Sequence, residues 1–340
     1  MIWLTWRQFR TQAVAVCGGL AALAVVLAIT GPKLAHDYAA GISSCGDRDG
    51  CRSFTDQFYN DHVPPYFGVV AIVMVVPAII GLFWGAPLIT REIEAGTHQL
   101  VWNQTVTRTR WLAVKLGVTG LVAIAAAGLG SLAVTWWSAP IDQAAAGEFP
   151  RLSPLMFDAR GIAPMAYAAF AFALGVAAGS LIRRTLPAIA VTLAAFAIAQ
   201  VVMPLWVRPN LITPVQVDTA ITAANLDGVK LGNGGTVRGM EVAIDRPGAW
   251  IIANETVRAG RVVDSLPAMA ADCMPQAPER ADPADRQACF TGLADLGYRQ
   301  RVAYQPADRF WALQLYETAI FAGLTVLLAG VSFWRVRRLS

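Results

Sequence analysis

The sequence predicts an all-α polytopic membrane protein of six transmembrane helices, with a mixed α/β extracytoplasmic domain between helices five and six. Three observations predict it. The 340 residues are 56% hydrophobic and only 15% charged, too apolar for the polar covering of a soluble domain. Six nearly uncharged stretches reach the roughly 20 residues a helix needs to cross a hydrocarbon core about 30 Å thick. Between the fifth and sixth, Val207 to Arg309 is polar and long enough to bury a small core of its own.

In chain order, "MIWLTWRQFR" places Ile2, Trp6 and Phe9 on one helical face and Arg7, Gln8 and Arg10 on the other, which predicts an amphipathic connecting helix over 1–10 lying along the inner leaflet. The spans follow at Thr11–Gly31, Tyr66–Ile89, Ala113–Trp137, Gly161–Ile182, Leu186–Trp206 and Trp311–Trp334. Inside a bilayer every backbone amide must be satisfied within its own segment, so these stretches are helices. The first is long and lacks a closing A-x-A site, so it is expected to be retained rather than cleaved as a signal. Pro32–Pro65 is expected as a polar outer loop, and Ser138–Arg160 as a second one on the membrane surface. "RRT" leaves spans four and five as a tight antiparallel hairpin, with Pro187 in the opening turn of the fifth. In the domain, "TVRGMEVAI" and "AWIIANETV" predict strands, "LDG", "GNGG" and "RPG" predict turns, and "PADRQACFTGLADLGYRQ" predicts a helix. Residues 310–340 hold the sixth span and a basic tail.

Charge predicts the orientation. Arg7, Arg10, Arg91, Arg108, Arg110, Lys115, Arg183, Arg184, Arg335, Arg337 and Arg338 fall on one side, against only Glu92 and Glu94. By the positive-inside rule that side is the cytoplasm, and both termini lie in it. Trp136, Trp137, Trp206 and Trp311 then fall at outer span ends and Trp3, Trp6, Trp84, Trp102, Trp111 and Trp334 at or near inner ones, as interfacial belts require. Four cysteines, Cys45, Cys51, Cys273 and Cys289, lie on the outer side, where disulfides persist. Pairs Cys45–Cys51 and Cys273–Cys289 are expected, each closing a local loop, with Cys17 left alone in span one. No metal site is expected, because these spacings match no usual zinc pattern.

The sequence excludes several chemistries. The three lysines, Lys33, Lys115 and Lys230, follow no glycine-rich loop, so there is no P-loop for ATP. His36, His62 and His98 form no HExxH pair, and no G-x-S-x-G elbow occurs. No catalytic residue is assigned, and the nearly balanced charge of the outer domain marks no nucleic-acid partner.

The stretch "REIEAGTHQLVWNQTVTRTRW", 91–111, is more than a connector needs, since RRT joins two other spans. Arg91 can reach headgroups, Glu92 and Glu94 supply the acids, and Gly96 permits a sharp turn. Thr97 can cap a short helix from His98 that carries Leu100, Val101 and Trp102, and Thr107 can cap the helix of span three, with Arg108 in its first turn. Apolar knobs with fixed acids suit the docking of a partner. The run Glu92-x-Glu94-x-Gly96-Thr97, then Thr105-Val106-Thr107-Arg108, Trp111-Leu112 and Lys115-Leu116, resembles the pattern of type 2 ATP-binding-cassette (ABC) transporter permeases. It departs at Thr105, where many members have proline. "YQPADRFWALQLYETAIF" also looks like a feature of actinobacterial members, and arginine outnumbers lysine 24 to 3, as in GC-rich genomes.

That resemblance implies a half-transporter with an exporter-like fold. Segment 91–111 would be the coupling helix that fits a groove on a separate ABC ATPase subunit. ATP and Mg would be bound by that partner and by nothing in this chain. A second permease chain, as a homodimer, would complete the pathway in the lipid membrane, and the cargo would be amphipathic or hydrophobic. Two other classes stay open: a membrane-anchored extracytoplasmic sensor, and a secondary transporter, for which neither inverted repeats nor midplane ion sites are visible.

Within the spans, Glu317 is the one acidic residue. It lies six residues in from Trp311, about 9 Å at 1.5 Å per residue. Gln314 shares its face, and Gln200 in span five lies at a similar depth. An ionisable group at such a place is either on a substrate path or fastens span six to span five by an interhelical hydrogen bond. Gly175-x-x-x-Gly179 in span four is a candidate close-approach or dimer contact.

Overall fold

The computed structural model describes residues 2–46, 48–96, 107–145, 150–232, 237–273 and 283–338. They form two compact units, 1–211 with 310–340, and 212–309. Among the described residues, six helices are long and apolar enough to cross a membrane.

Span one lies in α1 (Ile2–Ser44). The expected break after residue 10 is not there: the helix runs unbroken from the connecting segment through the span and 13 residues past Gly31, at Pro32–Ser44. Span two is likewise longer than expected. It comprises α2 (Arg48–Ile79), a π-helical turn (Ile80–Gly85) and α3 (Pro87–Glu94). The expected polar loop is therefore a helical hairpin, closed by the Cys45–Cys51 disulfide and filled by rings, with Phe58 5.3 Å from Tyr38 and 5.8 Å from Phe54. Its polar residues are compatible with helix because most of them lie on its exposed surface.

Span three is α4 (Arg108–Trp137), followed by short helices α5 (Ala139–Ala144) and α6 (Pro154–Asp158). Span four is α7 (Ala163–Ile182). Span five is α8 (Thr185–Val202), a second π-helical turn (Met203–Val207) and α9 (Arg208–Leu211). It extends past Trp206, so Arg208 belongs to the bundle and not to the following unit. Span six lies in α11 (Phe310–Arg337).

Span four sits at the centre. About 72% of its apolar window is buried, against 11% for span one. Its alanines and glycines are the reason: a side chain added at Gly175 would stand 2.4 Å from the Gly81 carbonyl oxygen and 2.6 Å from the Ala86 nitrogen, and one at Gly179 would stand 2.7 Å from the Ala86 oxygen. Backbone thus meets backbone between span four and the π-turn of span two, as small residues allow in apolar surroundings. The Gly175 and Gly179 pair is spent on this internal contact, not on an exposed dimer face. Trp84, Trp111 and Trp137 are also buried in the core rather than facing headgroups, whereas Trp136, Trp206, Trp311 and Trp334 are exposed as a belt requires.

The second unit carries a four-stranded antiparallel sheet in the order β1 (Val215–Thr219), β6 (Tyr298–Gln305), β4 (Trp250–Arg258), β5 (Arg261–Val262), and a hairpin of β2 (Leu226–Leu231) and β3 (Val237–Val242). The "LDG" turn signal lies inside β2, where the register shifts, and not between strands. The predicted helix is α10 (Pro283–Asp295), but it stops at Gly297, whose φ of 79° reverses the chain. Tyr298–Gln300, expected as the end of the helix, instead open the inner strand β6. Gln300 of that strand is buried; it accepts from the Thr256 hydroxyl at 2.9 Å and donates to Asn254 Oδ1 at 2.7 Å and to the Met240 carbonyl at 2.5 Å, so β3 is held by side chains from the sheet face. Cys273–Cys289 ties α10 to the preceding turn in this core.

Gly175→Val is expected to lower thermal stability by an overpacking cost of about 1–3 kcal/mol, because the crowded atoms are backbone and cannot swing away. Gly323→Ala, with nothing within 4 Å of the added carbon, is expected to be neutral or to stabilise slightly. Thermal unfolding of the two purified variants in one detergent checks both.

Candidate functional site

The residues expected to meet a partner begin where span two ends. In α3, Glu92 accepts a hydrogen bond from the Lys115 ammonium of span three, and that ammonium, on a buried side chain, stands 4.7 Å over the Trp111 ring. Glu94 accepts from the Thr185 backbone N–H at 2.8 Å and from its hydroxyl at 2.7 Å, which caps the opening turn of span five. The Thr185 hydroxyl also lies 2.8 Å from that of Thr90. Both acids, expected as docking charges, are therefore turned onto neighbouring spans of the same chain. Long-range partners of this kind leave no local signal.

Arg91 is exposed, and Gly96 takes a φ of 67°, as the sharp turn requires. Thr97, Leu100 and Trp102, with the short helix expected around them, lie outside the described residues. The chain resumes at Thr107, whose side chain accepts from the Arg110 N–H at 3.3 Å and caps span three, with Arg108 half-buried behind it.

At the other end of the bundle Glu317 is fully buried. It accepts from Arg208 Nε at 2.8 Å and Nη2 at 2.9 Å and from the Tyr167 hydroxyl. Arg208 also bonds Asp158 of α6, and its guanidinium lies 4.0 Å from the Phe157 ring. Gln314 accepts from the N–H groups of Ile162 and Ala163 at 3.0 and 2.8 Å and donates to the carbonyls of Phe157 and Arg160. It thus satisfies the first free amides of span four. Next to it, Arg160 bonds Asp142 at 2.5 Å and the Tyr66 hydroxyl.

Sequence reasoning found Glu317 and Gln314 but paired them with the wrong residue. Gln200 is half-buried and has no place among these contacts. Span five contributes Arg208 instead, although by sequence it falls in the polar segment that starts at Val207. A lone arginine two residues past Trp206, and the acid of "MFDARG", were the available signals. The cluster fastens span six to spans four and five and to α6. Two apolar grooves lie elsewhere, about 580 Å³ between spans one and two and about 350 Å³ between spans three, four and six.

Six helices of this length and apolarity, fastened by polar residues at both ends of the bundle, define a multi-pass membrane protein. A family profile described as ABC-2 membrane transporter related matches residues 17–208, more than half of the chain, and the chain belongs to that family. No curated protein and no solved structure matches it. The protein is accordingly a membrane permease component of an ABC transporter, a class that works with an ABC ATPase.

Arg208→Met leaves Glu317 buried without its counter-charge and Asp158 without its donor, and is expected to cost about 3–5 kcal/mol. Adding Asp158→Asn and Glu317→Gln to the same chain should restore much of the loss, because no uncompensated charge remains. Yield of monodisperse protein and its melting temperature in detergent give the comparison.

Proposed function

We propose that this permease is half of an exporter: two copies form the pathway, a separate ATPase docks on segment 91–111, and both termini lie in the cytoplasm with the second unit outside. ATP and Mg act only in the ATPase. The observation that carries the reading is the anchoring of the near end of that segment. Glu92 to Lys115 and Glu94 to Thr185 join the end of span two to the starts of spans three and five. A push on the segment beyond Gly96 is then delivered to three spans at once, and through the π-turn to span four. Rigid-body coupling of an ATPase to a membrane pathway needs such a joint.

The basic residues at this end favour its cytoplasmic placement. The apolar side chains lining the groove between spans one and two, such as Ala15, Leu20, Ile72 and Val76, support an amphipathic or hydrophobic cargo, because they offer a polar solute no hydrogen bond. A secondary transporter or an anchored sensor would not bring down a stoichiometric ATPase, so co-purification with the ATPase separates the three readings.

Two classes of variant are expected to behave differently. Leu100→Ser with Trp102→Ser should release the ATPase while leaving membrane insertion normal. Glu92→Gln with Glu94→Gln should keep the ATPase bound but lower cargo-stimulated ATP hydrolysis and transport several-fold, because the joint is loosened and the docking knobs are kept. Pull-down of the ATPase and ATPase assays in proteoliposomes check both, and normal transport in all four substitutions removes the coupling assignment.

A further inference from the structure

The cluster around Arg208 contains two carboxyl groups and one guanidinium, all buried. Its hydrogen bonds cannot all form with both carboxyls ionised. The Tyr167 hydroxyl lies 3.1 Å from Asp158 Oδ1 and within hydrogen-bonding distance of Glu317 Oε1. A phenol has one proton to donate, so it serves one of these oxygens. The other contact is a hydrogen bond only where the carboxyl brings the proton.

The guanidinium decides between them. Arg208 donates to both oxygens of Glu317, Nε to Oε2 and Nη2 to Oε1, whereas it meets Asp158 at Oδ1. Glu317 thereby takes two of the charge-assisted hydrogen bonds of Arg208 and Asp158 only one. We infer that Asp158 holds a proton in the folded protein and donates it to Tyr167, whose own proton goes to Glu317, so that this cluster is a proton-binding site locking α6 to spans four, five and six.

The charges balance in this state, one guanidinium against one carboxylate. Release returns the proton from Asp158 to water and leaves one uncompensated negative charge, with two carboxylates facing a single phenol. The groups that face Asp158 are Arg208 from span five, Glu317 from span six and Tyr167 from span four. The nearby Arg160 is turned to Asp142 and Tyr66. Burial pushes the Asp158 carboxyl up to about 6, with Arg208 opposing and Glu317 reinforcing the shift. The folded chain therefore binds this proton more tightly than the unfolded one. The stability it contributes is complete below about pH 4 and is lost as the pH rises through about 6.

Infrared titration of the full chain in lipid nanodiscs, from about pH 4 to pH 8, tests the site. A C=O band of a buried protonated carboxyl is expected, fading with a midpoint near 6 and absent in Asp158→Asn. That amide keeps a donor toward Tyr167, so the variant should fold, and its thermal stability should fall less than that of the unaltered chain as the pH is raised. Glu317→Gln should move the midpoint to lower pH, since the like charge is gone. A chain without a titrating band, or a band that persists in Asp158→Asn and vanishes in Glu317→Gln, overturns the assignment.

Discussion

The bundle depends on one contact, the meeting of span four's backbone with that of span two. Gly175 and Gly179 touch the π-turn and the residue after it, and Gly81 and Gly85 in turn leave room for the carbonyls of Ala171 and Phe172. In an apolar solvent there is no hydrophobic drive to bring helices together, so close packing must supply it. Once the two backbones are this near, the other spans arrange around span four. The π-turn, which inserts an extra residue into the helix, is tolerated because neighbouring backbone covers it.

Polar groups fasten both ends of the bundle around this element. At one end Gln314 satisfies the free amides of span four, and Tyr167 joins it to Glu317. At the other, Thr90 and Glu94 converge on Thr185, the first residue of span five. Charges within a membrane protein are costly when alone, and here each serves more than one element. Arg208 links α6 and span six, and Lys115 holds α3 against span three. Movement applied at either end would therefore be shared among several spans.

Legibility in the sequence followed the range of each interaction. The Thr107 cap, the Gly96 turn and the two disulfides depend on residues close in the chain, and all were readable. Glu92 and Glu94 were recognised as unusual, but their partners were not. Glu94 is 91 residues from Thr185, and Glu317 is 150 from Tyr167. Composition also misplaced Arg208, because a charged residue after a tryptophan reads as the end of a span. The helical pattern also ran on over Tyr298–Gln300, although these residues open β6, which lies between two strands that each need a neighbour.

By itself the sequence determined the six spans, the strand-bearing unit between the last two, the cysteine pairs and the family motif after span two. Those follow from hydropathy, turn chemistry and short spacing, which are local and additive along the chain. The tertiary structure alone decided that the first two spans continue as a helical hairpin, that Trp84 and Trp111 face inward, and that Arg208 rather than Gln200 meets Glu317. Each of these is settled by which distant surface offers a buried group its partner, and a buried charge or amide accepts only the arrangement that leaves it satisfied.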